Sequence, residues 1–285
     1  MADTYKLQYE GMTLTYPGWG GYVSYEDIHR IFHITVNQTT GGTITATPIE
    51  GPNGTIVTLS NTPSTDYKFV SYSVTGATLN NNQFTINDSD VTVTGTFTRY
   101  RQVFVNLGSK QYNGNTSTLN VSLTGMPSST SFNYLTFVMD ALYDNSGMAA
   151  DIYFRDSSNN VMWRSRCHYN MGVGFVGITG NVTGWTTRTG QSVSSKKQDS
   201  VSYRLNGNWG RGSWKKIKIV FDRTNKICYF YIAGTLIGYA KMNADMINCK
   251  NIGLLKEQSS GTNSHIKNVR VAGFSTLADA QAYNG

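Results

Sequence analysis

The chain has 285 residues, only 14% of them charged, with 29 Gly, 18 Tyr and a formal net charge of +7. Thr, Ser, Asn, Gly and aromatic residues at these levels suit short strands joined by tight turns and exclude a helical bundle. No stretch approaches the roughly 20 apolar residues of a membrane span. Cys167, Cys228 and Cys249 are odd in number and show no CxxC spacing, so neither a disulfide framework nor a zinc site is indicated.

Residues 1–31 are punctuated by glycines and carry Tyr5, Tyr9, Tyr16, Trp19, Tyr22 and Tyr25. They are too few to bury a core and too aromatic for a solvated tail. Two readings stand side by side: an anchor peptide docking on another protein through those six rings, or a strand completing the next domain's sheet. A turn of helix capped by Ser24 precedes the first strand. The opening MADTYKLQYEG lacks the basic start and apolar run of a secretory signal, so synthesis in a cytoplasm is expected.

Residues 32–98 alternate apolar and polar positions in six runs: FHITVNQ, GTITATP, TIVTLSNTP, YKFVSYSVTG, NQFTI and VTVTGTFT. Gly41-Gly42, Pro52-Asn53-Gly54, Pro63 and Asn80–Asn82 separate them, as expected for a small single-sheet or two-layer β domain. The stretch from GGTITATP to VTVTGTFT, with its Gly-Thr start, Gly-x-x-Gly turn and closing V-T-V-x-x-x-F, resembles the divergent internalin-B-type repeats of surface proteins. The resemblance implies a spacer or adhesin module without catalysis.

Residues 99–285 form the larger domain. In WKKIKIVFDRTNKICYFYIAGTLIGYAKM, Ile217, Ile219 and Phe221 alternate, a DRTNK turn reverses the chain, and Ile227, Tyr229 and Tyr231 resume the alternation, which reads as a meander. YLTFVMDALY and ADIYFRDSSNNVMWRSRCHY supply earlier hairpin pairs, HIKNVRVAGF a closing strand, and Cys228, Trp163 and Trp214 core positions. The W-x-x-I-x-I-x-F-D…Y-x-Y-x-x-G-x-x-I-G block resembles that of concanavalin/laminin-G-like domains and implies a jelly-roll sandwich. The expected fold is therefore all-β throughout: anchor 1–31, repeat 32–98, jelly roll 99–285.

Charge is divided between these parts. Residues 1–98 hold three basic against eight acidic side chains, a net of −5, which leaves +12 for the remainder. A basic terminal domain suits an anionic surface such as an acidic polysaccharide, and a solvated surface of scattered lysines is the plain alternative. No nucleic-acid fold signature is present.

Glycosidases need two carboxylates set about 5–10 Å apart. The E-x-D-x-x-E strand of concanavalin-type hydrolases is absent, and Asp144 and Asp156 lie in the turn-forming DNSG and RDSSNN, so no catalytic residue is assigned. His29 and His33 lack the helical context of a metal pair. Calcium, which laminin-G-like domains often hold, is the metal left open, through Asp144 with Asn145 or Asp156 with Asn159. Sugar binding asks for exposed aromatics beside polar groups. GNVTGWTTRTGQSVSS offers Trp185 and Arg188, and LNGNWGRGSW offers Asn206, Asn208, Trp209 and Arg211. The same residue types serve protein interfaces.

Anchor, repeat and sandwich in this order resemble a bacteriophage virion surface protein, a head fibre or capsid decoration. That resemblance implies location on the virion surface, capsid and host-surface glycans as partners, a homotrimer, and no enzymatic activity. A secreted bacterial adhesin, a tail-associated receptor-binding protein and a divergent glycosidase are the alternatives.

Overall fold

A computed structural model describes residues 4–9, 12–17, 30–114, 119–143, 149–168, 173–178, 182–187, 201–204, 212–242, 244–256 and 264–285. The chain divides into two compact units, Met1–Thr98 and Arg99–Gly285.

In the first unit, β1 (Thr4–Tyr9) and β2 (Met12–Pro17) pair as an antiparallel hairpin that forms a two-stranded sheet, with Tyr5 opposite Tyr16 and Tyr9 opposite Met12. The expected anchor residues Tyr5, Tyr9 and Tyr16 are described there by backbone alone. Trp19, Tyr22, Tyr25 and the Ser24 turn lie outside the described residues.

Seven strands build the repeat: β3 (Phe32–Asn37), β4 (Gly42–Thr47), β5 (Glu50–Gly51), β6 (Ile56–Pro63), β7 (Tyr67–Thr75), β8 (Gln83–Thr85) and β9 (Val91–Arg99). They form two layers, ordered β5-β3-β9-β7 and β4-β6-β8. The first and last long strands lie side by side in parallel, Ile34 opposite Val91 and Val36 opposite Val93. Period-2 alternation decides the packing: β4 buries Gly42/Ile44/Ala46 side by side with exposed Thr43, Thr45 and Thr47. Phe32, Ile34, Ile44, Val57, Leu59, Phe84, Ile86, Val91 and Val93 close the core. Gly41 has φ +105, and a Cβ on Gly42 would run into the Phe97 ring, so this glycine pair is fixed by a turn and a close approach.

The second unit is a sandwich. Its strands are β10 (Arg101–Asn106), β11 (Tyr112–Asn113), β12 (Leu119–Ser122), β13 (Tyr134–Tyr143), β14 (Ala149–Arg155), β15 (Val161–His168), β16 (Val173–Ile178), β17 (Val182–Thr187), β18 (Val201–Arg204), β19 (Lys215–Asp222), β20 (Ile227–Ile232), β21 (Thr235–Met242), β22 (Asn251–Lys256) and β23 (Ser264–Phe274). One sheet of eight runs β10-β23-β13-β19-β20-β21-β17, with β11 also on β23; the other, of six, runs β12-β22-β14-β15-β16-β18. Between them lie Leu135, Phe137, Met139, Ile217, Ile219, Phe221, Cys228 and Phe230 from the larger sheet, against Val121, Ile152, Phe154, Trp163, Ile252 and Leu254 from the smaller. At roughly 25 cal/mol per Å² of apolar surface, this layer is what holds the two sheets together.

The β19–β20–β21 meander follows the sequence expectation. YLTFVMDALY does not: β13 makes no hairpin with its successor but runs through the larger sheet between β19 and β23. β14 and β15 do form the expected hairpin. Trp163 is fully buried, whereas Trp214, expected in the core, is half-buried with the Lys267 ammonium 4.2 Å from its ring centroid. Trp214 stands just ahead of β19, where the alternation that suggested burial has not begun.

The larger sheet's outer face is closed by a C-terminal helix, Leu277–Ala282, capped by Thr276. Ala280 is buried on Val220, Ala272 and Phe274, with Tyr231 and Tyr283 around it. Thr136 donates its hydroxyl to the Ala280 carbonyl at 3.0 Å, Lys216 its ammonium to the Asn284 carbonyl at 2.7 Å, and Lys218 to the Gln281 carbonyl.

Candidate functional site

The smaller sheet's outward face carries the site. Core residues Ile152 and Phe154 alternate along β14 with Tyr153 and Arg155, which therefore occupy the opposite face, Tyr153 buried and Arg155 half-exposed. Register then assembles neighbours from strands far apart in sequence: Asn120–Gly253–Tyr153–Arg164 in one row, Ser122–Asn251–Arg155 in the next. A β-bulge between Phe154 and Arg155 ends regular pairing with β15 at this point; bulges commonly re-aim a side chain in this way. Arg166 stands opposite Asp151 and Phe175, and Arg204 opposite Phe175.

Arg155 is held in three ways. Its guanidinium carbon lies 4.8 Å from the Tyr153 ring centroid, Nη1 donates to Asn120 Oδ1 at 3.4 Å, and the guanidinium runs along the backbone of Gly253. A Cβ on Gly253 would come 3.3 Å from Arg155 Cζ and 3.3 Å from Asn120 Oδ1, so glycine makes room for the cation to lie flat. Arg155 Nε is buried without a hydrogen-bond partner. Asn120 and Ser122 are exposed, and Arg155 and Asn251 half-exposed. A fixed cationic fork beside two amides and a hydroxyl can hydrogen-bond a polyhydroxylated or anionic ligand.

A second surface lies on the larger sheet beside the helix, where Tyr229 and Tyr239 pair with ring centroids 5.8 Å apart and Tyr239 is 37% exposed. Burial raises the Tyr229 phenol above its ordinary value, helped by Asp222 and the neighbouring tyrosines.

Two carboxylates of the sandwich, Asp156 and Asp140, are engaged in local hydrogen bonds. Asp156 accepts the backbone N–H of Ser158 at 2.9 Å and of Asn160 at 2.8 Å, and the Asn160 side chain at 2.9 Å; that last bond leads the effects lowering its pKa. Asp140 accepts from Asn268 at 2.6 Å. Among the described residues no three His, Cys, Asp or Glu side chains gather as a metal site would need. Asp144 and Asn145 lie outside those residues.

Of the six glycan-binding residues expected from sequence, Arg188, Asn206, Asn208, Trp209 and Arg211 lie outside the described residues. Trp185 is described by backbone alone, in β17 opposite Ala240, which is opposite the buried Cys228. The segment holding Arg188 joins β17 to β18, the edge strands of the two sheets. Sequence reasoning missed Arg155, Asn120, Asn251 and Gly253, whose proximity depends on register. The glycine inside the apolar run NIGLLK was the available local signal.

The family model described as the divergent InlB B-repeat domain matches residues 32–101. No curated sequence matches the chain significantly. Among solved structures, Caenorhabditis elegans galectin LEC-6 is similar at 11% identity and TM-score 0.37, covering 58% of this chain and 96% of the galectin. Sheep galectin-11, in complex with glycerol, aligns at 10% identity and TM-score 0.33 over 55% of this chain and 97% of its own. The binding domain of botulinum neurotoxin DC, in complex with SialylT, aligns at 12% identity and TM-score 0.38 over 65% of this chain, which spans under half, 45%, of that structure. Likenesses this slight carry no argument about function. The class of protein defined by the topology is an all-β one, a small two-layer β domain followed by a β-sandwich.

Proposed function

We propose that this is a non-enzymatic display protein whose sandwich binds carbohydrate through the open face of its six-stranded sheet, with the B-repeat as spacer. The observation that supports this reading most strongly is Arg155, packed on the Tyr153 ring and flanked by Asn120, Asn251 and Ser122 on the outward face of the smaller sheet. The engagement of Asp140 and Asp156 supports a binding rather than a hydrolytic role. The carrier we propose is a phage particle, as a head fibre or capsid decoration assembled as a homotrimer and held by the aromatic segment 1–31.

Glycan-array binding by the full chain should fall at least about tenfold in the Asn120→Ala/Asn251→Ala double variant, as loss of two ligand hydrogen bonds implies, with its melting temperature kept. An array on which the wild-type chain binds nothing would refute the reading. Deleting residues 1–31 should release the protein from particles, and unchanged particle occupancy would remove the anchor from it.

A further inference from the structure

We infer that this face is selective for acidic glycans, with Arg155 as the fork for a carboxylate or sulfate carried on a sugar ring; the inference rests on the carbohydrate-binding reading above. Neutral sugars need donors and acceptors but no fixed charge. Arg155 supplies a charge that the protein leaves uncompensated: no described carboxylate stands within ion-pair distance, and its one side-chain hydrogen bond is a long 3.4 Å contact with a neutral amide oxygen. A half-buried cation with so little compensation is costly to keep unless something anionic meets it.

Its geometry suits that role. Stacking on Tyr153 and on the backbone of Gly253 has already removed most of the side chain's rotamer freedom, so little entropy remains to be lost on binding. Arg155 is half-exposed with Nε buried, and a planar fork of this kind matches two oxygens of a carboxylate or sulfate. By backbone register Arg164 is opposite Tyr153, and Asp151 is opposite Arg166. Asn120, Asn251 and Ser122 stand beside the fork as hydroxyl partners, which favours a charged saccharide over a bare anion.

The test uses the full chain and three probe sets in solution: a heparin oligosaccharide for sulfate, sialyllactose and an oligogalacturonate for carboxylate, and lactose with desulfated oligosaccharide as neutral partners. The wild-type chain should prefer at least one acidic set by about tenfold or more, and the preference should shrink between 50 and 300 mM salt, roughly as screening of a partly exposed charge dictates. Arg155→Gln should abolish the preference, because binding of the acidic set falls further than binding of the neutral set. Arg155→Lys, which keeps the charge but not the fork, should retain only part of it. Gly253→Ala, which crowds the guanidinium without changing any charge, should weaken it with the melting temperature held within about 3 °C, the shift a minor packing change gives. Preference for sulfate alone, or for carboxylate alone, identifies the group recognised. Equal binding of acidic and neutral sugars, or an acidic preference unchanged in Arg155→Gln, overturns the inference and leaves the carbohydrate reading standing. Failure to bind any saccharide overturns that reading itself.

Discussion

Cys249 makes the stability of the sandwich depend on alkaline pH in a way one substitution can isolate. The residue is fully buried behind the short 3₁₀ turn Met246–Asn248, and its thiol donates to the Asn251 carbonyl at 3.6 Å. Burial pushes its pKa from 9.0 up to about 12, an effect that hydrogen bonding with the backbone of Arg155 and of Asn251 and the Lys250 charge only partly oppose. The unfolded chain therefore releases this proton near pH 9 while the folded chain keeps it. The contribution is whole below pH 9 and is lost as pH rises toward 12. Each pH unit costs about 1.4 kcal/mol per proton, so the loss reaches about 3 kcal/mol by pH 11 and about 4 kcal/mol at the end. Cys228 and Tyr231, both raised by burial, act in the same direction, whereas Lys218, lowered by burial and by Lys216, acts in the opposite one. Cys249→Ala cancels these common contributions when compared with wild type. At pH 8 the variant should be less stable by about 1 kcal/mol, the cost of a small cavity and a weak hydrogen bond. By pH 11 it should be more stable by roughly 2 kcal/mol, because the proton contribution then exceeds that cavity cost. Urea unfolding followed by tryptophan fluorescence gives the comparison, because Trp163 is buried in this core. Curves that stay parallel from pH 8 to pH 11 would refute the reasoning.

Arg223 ties three chain segments together, pairing with Asp245 at 2.9 Å and donating to the carbonyls of Thr130 at 2.9 Å and Phe132 at 2.8 Å. Arg223→Met should destabilise the sandwich by about 2–3 kcal/mol in the same urea assay, since it leaves two acceptors and a carboxylate without their donor. In the repeat, Gly42→Ala drives a methyl into the Phe97 ring. Overpacking of this kind should lower that unit's calorimetric transition by about 1–3 kcal/mol, with the sandwich transition unmoved.

Alternation was legible wherever one face of a strand meets solvent. GTITAT in β4 alternates buried and exposed positions without a break, and FHITVN in β3 nearly so. It fails in the middle of the larger sheet. Leu135 through Met139 on β13 and Ile217 through Asp222 on β19 are buried at every position, because the sandwich core covers one side and a helix some 60–140 residues later in the chain covers much of the other. Local pattern cannot report cover that arrives from so far away. Trp214 shows the converse error: a residue beside a strongly alternating strand borrowed that strand's expected burial. The candidate site was the least legible part. Asn120, Arg155 and Gly253 come from three strands, and no spacing in the sequence marks them as neighbours until the β12–β22–β14 register is known.

The difference between the two outer faces explains why charge accumulates where it does. On the larger sheet, the two central lysines are consumed structurally: Lys218 is nearly buried, caps the helix through the Gln281 carbonyl and lies 4.9 Å from the Tyr231 ring centroid, and Lys216 holds Asn284. Lys250 is consumed likewise, donating to the carbonyls of Met126, Pro127 and Ile247. Basic residues used this way add to the net charge without offering it to a partner, so the +12 of residues 99–285 overstates the field available for binding. Arg155 differs in the quality that matters. It is fixed as firmly as Lys218, yet its partners are a ring, a glycine backbone and one distant amide oxygen, none of which neutralises it. A cation that is both immobilised and uncompensated has its binding cost met in advance by the fold, and for that reason a single substitution there should change ligand selectivity more than removal of any surface lysine.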